Sequence, residues 1–290
     1  MLIDDKQDPD DTAPDLTEKQ REEAEQRTSV SVDVVHEAIR HDGEEELNRA
    51  VSALAWSGLA AGLSMGFSFV GQALLYAYLP DKPWRPLIVN LGYSVGFLIV
   101  ISGRQQLFTE NTLTAIIPLL AKKTRTNFLR VGRLWSVVLA ANLVGAHLFA
   151  WVVANTQIFQ PDVQNAMLKL AQDAMHVTFG LAILRGIFAG WLIALMVWIL
   201  AAVDGGRVAI IIILTYVVGL SHLTHIIAGA VEVLFLPMAG AASWMQVSIG
   251  YMLPTLIGNI IGGTSLTAAL NHAQVVAGMG KKKKGRLLVS

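Results

Sequence analysis

The chain has 290 residues, 53% of them hydrophobic and only 15% charged, with a mean hydropathy of +0.51. A soluble domain carries about 25% charge, so the composition argues against a water-soluble protein and for one embedded in lipid. The net charge of zero hides a segregation, because 16 of the 22 acids lie in the first fifty residues. Cysteine is absent, which excludes a disulfide framework or a thiolate metal site.

Residues 1–29 are acidic and poor in apolar side chains, the composition of a solvated, disordered cytoplasmic tail. Their opening, "MLIDDKQDPDD", lacks an apolar core, so no cleavable secretory signal is expected and the first internal span directs insertion. In residues 30–48 the apolar positions Val30, Val34, Val35, Ala38 and Ile39 recur at helical spacing and predict an amphipathic cytoplasmic helix.

Residues 49–274 read as a transmembrane domain. About 20 apolar residues make a crossing helix, and six such spans are expected at roughly 51–79, 87–119, 132–155, 175–203, 208–235 and 243–270. The second and fifth carry polar residues near their middles, "SGRQQLFTEN" and "SHLTH", and both read as interrupted helices. The bases Lys122, Lys123, Arg125, Arg130, Arg133, Arg207, Lys281 to Lys284 and Arg286 fall on one side, against Lys82, Arg85 and Lys169 on the other. That asymmetry places both termini in the cytoplasm. Residues 275–290 form a basic cytoplasmic tail, whose "KKKKGR" suits topology and anionic lipid rather than nucleic acid.

The two halves repeat. "SGLAAGL" with Gly58 and Gly62 is echoed by "RGIFAGW" with Gly186 and Gly190, and "ANLVGA" with Asn142 by "GNIIGG" with Asn259. Three spans followed by three make the halves enter from opposite sides, and helices broken at corresponding positions then mark a central site. The fold class expected is therefore an all-α polytopic membrane protein built as a 3+3 inverted repeat. The glycines read as packing residues, and Asn142 and Asn259 as hydrogen-bonding supports for the broken helices.

The stretch "TYVVGLSHLTHIIAGAVEVLF" holds His222, His225 and Glu232 at membrane depth. Ionisable groups there are costly and face protein or a water-filled path. Through the break and the repeat, His225 reads as lining that path, with Thr109 of the other break opposite it. His222 lies three residues earlier on an adjoining face. Glu232 lies two turns along the same side and reads as pairing with a base near one membrane surface. Arg104 and Glu110 flank the first break and are expected to bridge each other. The three ionisable residues do not have the spacing of a recognised metal set, and no nucleotide-binding or catalytic-triad motif appears; no cofactor and no enzymatic activity are expected.

Taken together, "RQQLFTEN", "RGIFAGWLIALMVW", "LTHIIAGA", "ANLVGA" and "GNIIGG" resemble the formate/nitrite transporter family over roughly residues 30–275. That family's markers are a broken second span G-A-E-L-F-T-G-N, a fourth span R-G-I-x-x-N-W-L-V-x-L-A-V-W and a fifth-span E-H-x-I-A-N-M. The resemblance implies an aquaporin-like subunit in a homopentamer with one pore each. It also implies a central site at Leu107, Phe108, Thr109 and His225, apolar constrictions at Tyr93, Phe97 and Val218, and a bacterial inner-membrane location. The chain departs from the pattern at Thr224 for an acid, Gly229 and Gly190 for asparagines, Ala174 for a base, Arg104 and Gln106 for Gly and Glu, and Glu110 for a small residue.

An anion cannot pass apolar rings without shedding its charge, and histidine titrates near neutrality. The expected function is a channel or transporter for a small monovalent weak-acid anion, proton-linked through His225, with Thr109 supplying a hydroxyl. The alternative is an aquaporin-like channel for a small neutral solute.

Overall fold

The structure, a computed structural model, describes residues 16–20 and 30–287, with side chains to residue 278. Most of the expected acidic tail, residues 1–15 and 21–29, and the side chains of Lys281 to Lys284 lie outside the described residues. Every regular element among the described residues is helical: α1 (Val32–Asn48), α2 (Val51–Tyr78), α3 (Arg85–Val89), α4 (Ser94–Ser102), α5 (Phe108–Thr114), α6 (Ile116–Ala121), α7 (Arg125–Asn155), α8 (Pro161–Met175), α9 (Phe179–Ala202), α10 (Arg207–Leu220), α11 (Ile226–Met238), α12 (Trp244–Val247), α13 (Leu253–Ile261) and α14 (Leu270–Leu287). Wide π turns, Ser248–Met252 and Gly262–Ala269, flank α13.

Five segments among the described residues are long and apolar enough to cross a membrane: Val51–Tyr78, Arg85–Ser102, Arg125–Asn155, Phe179–Ala202 and Trp244–Gly278. The expected fifth span instead holds two shorter apolar helices, α10 and α11, separated by a turn. The expected second span likewise stops at Ser102 and restarts at Phe108. Local chemistry sets several starts: the Thr124 hydroxyl accepts from the Asn127 N–H, Thr178 from Leu181, and Ser243 and Gln246 form a capping box before α12.

The repeat is legible as duplicated contacts. α2 packs on α7, and α9 on α13, through backbones brought together by glycine. A Cβ on Gly62 would lie 2.1 Å from the Asn142 carbonyl oxygen, and one on Gly190 would lie 2.3 Å from that of Asn259. The reciprocal contacts also match, Gly145 against the Leu59 carbonyl and Gly262 against that of Ile187. Without Cβ atoms the helices approach closely enough for the neighbouring asparagines to reach across.

α1 forms at Val32–Asn48, and only part of the expected apolar face docks. Val35, His36, Ile39, Gly43 and Leu47 are buried, while Val30, Val34 and Ala38 are exposed. Gly43 decides this, because a Cβ there would sit 2.0 Å from the Thr114 carbonyl, so only this face lets α1 close against α5 and α6. The expected fourth span, 175–203, is α9, and ahead of it the chain forms α8, whose Val163, Ala166, Met167 and Ala171 pack towards α11 and α2. Pro161 at its first turn and a polar outer face make α8 a separate amphipathic element.

Candidate functional site

The two breaks have the same construction. After α4, Arg104 takes a left-handed backbone with φ of 50°; after α10, His222 does the same with φ of 50°. Each is followed by a returning bond, Gln105 N–H to Val100 O and Leu223 N–H to Val218 O, both 3.0 Å. An extended residue then precedes each second helix, Leu107 at φ −107°, ψ 125° and His225 at φ −115°, ψ 129°. Equivalent residues are thus 118 positions apart, so His225 is the counterpart of Leu107. Thr109 stands two residues further on, the second residue of α5, and crosses to His225 rather than matching it.

Each restarted helix is held by one asparagine. The Asn142 Oδ1 accepts from Phe108 N–H at 2.9 Å, and its Nδ2 donates to the carbonyls of Gly58 at 2.7 Å and Gln106 at 2.9 Å. The Asn259 Oδ1 accepts from Ile226 N–H at 2.8 Å, and its Nδ2 donates to Gly186 and Thr224, both 2.9 Å. Thr224 also donates its hydroxyl to the Ala182 carbonyl at 2.8 Å, tying the break to α9. These bonds satisfy backbone groups that an interrupted helix leaves exposed in a medium without water.

At the crossing point the Thr109 hydroxyl and His225 Nε2 are 2.8 Å apart, with both residues 0% exposed. The Nδ1 of His225 accepts from Ile227 N–H at 3.3 Å and Ala228 N–H at 3.1 Å. Because Nδ1 is an acceptor, the hydrogen-bond network assigns the proton of the neutral ring to Nε2, which donates to Thr109. The Phe97 ring meets the imidazole edge-on at 5.1 Å and is itself 5.4 Å from the Tyr93 ring. Tyr93, Phe97, Leu107, Phe108 and Val218 belong to one buried apolar cluster.

A cavity approaches this plug from each end. One, of about 540 Å³, is lined by residues of α1 and of the first break, with the end of α9 and Arg207 at the start of α10. The other, of about 850 Å³, is lined by Tyr93, Thr224, Glu232 and Tyr251, with Arg185 early in α9 and His222 after α10. Since α9 and α10 each contribute opposite ends to the two cavities, these open in opposite directions along the helices. α2 likewise leaves the first, near Arg49, and ends at the second, near Tyr76, so α2 and its counterpart α9 run in opposite senses.

Two expectations about charge need correction. No ion pair joins Arg104 to Glu110, although both line the first cavity. Arg104 sits on the left-handed turn while Glu110 is already inside α5, and Arg207 lines the same cavity. Glu232 likewise has no ion-pair partner among the described residues; it lies in the second cavity with Tyr251 and Arg185. Arg185 was not singled out from the sequence, yet it brings a cation to the cavity that Ala174 also lines. Its place in "ILRGIFAG", one residue before a packing glycine, was the available signal.

Glu46 was also missed. Its carboxylate accepts from Gln106 Nε2 at 3.1 Å, Asn111 Nδ2 at 3.0 Å and Thr114 Oγ1 at 2.5 Å. Seven residues after Ile39, it shares the docked face of α1, a phase the sequence contained once Val35, Ile39 and Leu47, without Val30 and Val34, are taken as the buried positions.

A bundle of apolar helices with two mirrored interruptions is a build found in membrane transport proteins. The chain belongs to the formate/nitrite transporter family, whose pattern matches residues 33–273. It is 40% identical over 283 residues to the inner membrane protein YfdC of Escherichia coli strain K12, covering 94% of this chain and 91% of that one. It is 23% identical over 235 residues to the formate channel BtFdhC of Bacillus thuringiensis, covering 79% and 89%. Its fold matches a solved pentameric formate channel with formate bound at a TM-score of 0.63, with 21% identity and coverage of 80% and 96%.

Proposed function

We propose that the chain is a channel for a small monovalent weak-acid anion of the formate, nitrite or hydrosulfide kind, passing with a proton through a gate formed by His225 and Thr109. The observation that carries this reading is the 2.8 Å Thr109–His225 contact, fully buried where two broken helices cross and flanked by a cavity at each end. Relatives that are formate channels support the substrate class. Likeness to a pentameric channel supports a homopentamer with one pathway per subunit, and the inner-membrane relative supports a bacterial inner membrane. The channel proper is residues 49–274, with α1 and both tails cytoplasmic by the positive-inside rule; the α1 cavity is then cytoplasmic.

The anion loses too much hydration to pass the Tyr93, Phe97, Leu107, Phe108 and Val218 cluster charged. As its conjugate acid it carries no such cost. The Nε2–H of neutral His225 and the Thr109 hydroxyl offer it a hydrogen-bonding pair where the two breaks cross. Protonating Nδ1 would sacrifice its bonds to Ile227 and Ala228, so His225 holds the passing acid by a hydrogen bond while the proton travels with the solute. Asn142, Asn259 and Thr224 keep the two breaks in register. A channel for a neutral solute is the competing reading, favoured by the absence of any charged side chain in that central contact.

The test is a proteoliposome flux panel of formate, nitrite, hydrosulfide, acetate, lactate and glycerol under imposed pH gradients. Weak-acid flux should rise with an inward proton gradient and carry protons, and should fall at least about tenfold in His225→Phe, the equivalent of roughly 1.4 kcal/mol of barrier. Flux indifferent to both the gradient and the substitution would overturn the proposal; glycerol flux without proton uptake would select the competing reading.

A further inference from the structure

Glu46 presents an acid docked by neutral donors. The side chain is half-buried, and its carboxylate is met by three donors from the first break and α5: Gln106 Nε2 at 3.1 Å, Asn111 Nδ2 at 3.0 Å and Thr114 Oγ1 at 2.5 Å. No base among the described residues pairs with it. The donors are themselves fixed: Gln106 is 6% and Asn111 1% exposed, Asn111 Nδ2 also donates to Gln106 Oε1 at 3.1 Å, and the Asn111 carbonyl accepts from Trp135 Nε1 at 3.1 Å. These donors are backed by neighbours that do not depend on Glu46, so they form a pocket rather than a chance meeting of flexible ends.

Three convergent donors are the recognition chemistry of a carboxylate. Glu46, Gln106 and Thr114 all line the 540 Å³ cavity, together with Glu110, the residue after Thr109. The same cavity holds Arg49, Arg104 and Arg207 against Asp42, Glu45 and Glu110, so it is electrostatically mixed rather than closed to anions. The group filling the pocket arrives on α1, ahead of the first membrane span.

We infer that Gln106, Asn111 and Thr114 form a binding site for a small carboxylate at the α1 end of the pathway, and that Glu46 fills it as a tethered competitor. The proposal deepens the reading of the chain as a weak-acid channel and rests on it only for its consequence in transport. A free carboxylate entering from the α1 side must displace Glu46 or wait for α1 to move, so removing the side chain opens the site to the solute.

The experiment is thermal unfolding of the full-length protein in detergent, titrated with sodium acetate against sodium chloride at equal ionic strength. Glu46→Ala leaves the three donors empty; it should melt below the wild type, and acetate should restore several degrees where chloride does not. Glu46→Gln retains the shape but aims an amide N–H₂ at donors, so acetate should raise its melting temperature less than that of Glu46→Ala and more than that of the wild type. If Glu46→Ala fails to fold, Glu46→Gln decides alone. Equal shifts in all three proteins, equal shifts by chloride, or no shift in the variants would overturn the inference. Flux entering from the α1 side should reach half-saturation at a several-fold lower concentration in Glu46→Gln. The melting arm needs no transport, so its failure leaves the channel reading standing, and failure of flux leaves the acetate site standing.

Discussion

Replacing Asn142 by Leu removes three hydrogen bonds while keeping the side-chain volume, which separates polar support from packing. Asn142 is 0% exposed and bonds Phe108 N–H, Gly58 O and Gln106 O. The Gly58 carbonyl lies inside α2 and is served by its own helix, so its loss costs little. Phe108 N–H and Gln106 O lie at the break and have no helical partner to fall back on. At about 1–3 kcal/mol per buried polar group left unsatisfied, tempered by the smaller values found in membrane interiors, the variant should lose roughly 3 kcal/mol. For a domain of this size that is a melting temperature lower by about 6–12 °C. Asn259→Leu should lose a similar amount, because its bonds to Ile226, Gly186 and Thr224 reproduce the set at 2.8, 2.9 and 2.9 Å. The assay is thermal unfolding in detergent. A loss under about 2 °C in either variant would refute the view that these asparagines hold the breaks.

Two further outcomes follow from close contacts. A Cβ on Gly229 would lie 2.2 Å from the Tyr251 hydroxyl and 2.9 Å from the ring, so Gly229→Ala should cost about 1–3 kcal/mol by overpacking. Tyr251→Phe should recover part of it, and a double-mutant cycle showing no coupling would count against the contact. At the α1 surface, His36 Nε2 is 3.0 Å from His272 Nδ1, and burial, aided by the His272 charge, pushes the His36 imidazole below its usual 6.5. A depressed folded value means the unfolded chain binds the proton more readily, so this contribution is whole above pH 6.5 and fades as pH falls. Proteolysis of α1 should therefore accelerate below pH 6.5 in the wild type and lose that dependence in His36→Leu; an unchanged pH profile in the variant would contradict the assignment.

Much of the architecture was legible because lipid leaves few choices. Long apolar segments, their polar interruptions and the paired Gly and Asn motifs each report a constraint written in one stretch of chain. The pairing of Thr109 with His225 was also anticipated from the two breaks. The phase of the repeat was not legible: the backbone makes Leu107 the counterpart of His225 and sets Thr109 two residues further into its helix. The α1 face was legible only in part, since Val30, Val34 and Ala38 satisfy a helical period as well as the buried Val35 and Ile39 do. Gly43, with the Thr114 carbonyl against it, breaks the tie, and that contact is not local.

The sequence by itself determined that the chain is helical and lipid-embedded, that two spans are interrupted, and which polar residues lie at the interruptions, because hydropathy and backbone satisfaction act along a few consecutive residues. Only the tertiary structure decided where those residues point. It put a neutral imidazole against a threonine 116 positions away, left Arg104 and Glu110 unpaired across one cavity, and seated Glu46 in a pocket made by the first break. Such partnerships depend on how closely glycine-faced helices from distant parts of the chain approach, a distance that no single segment encodes.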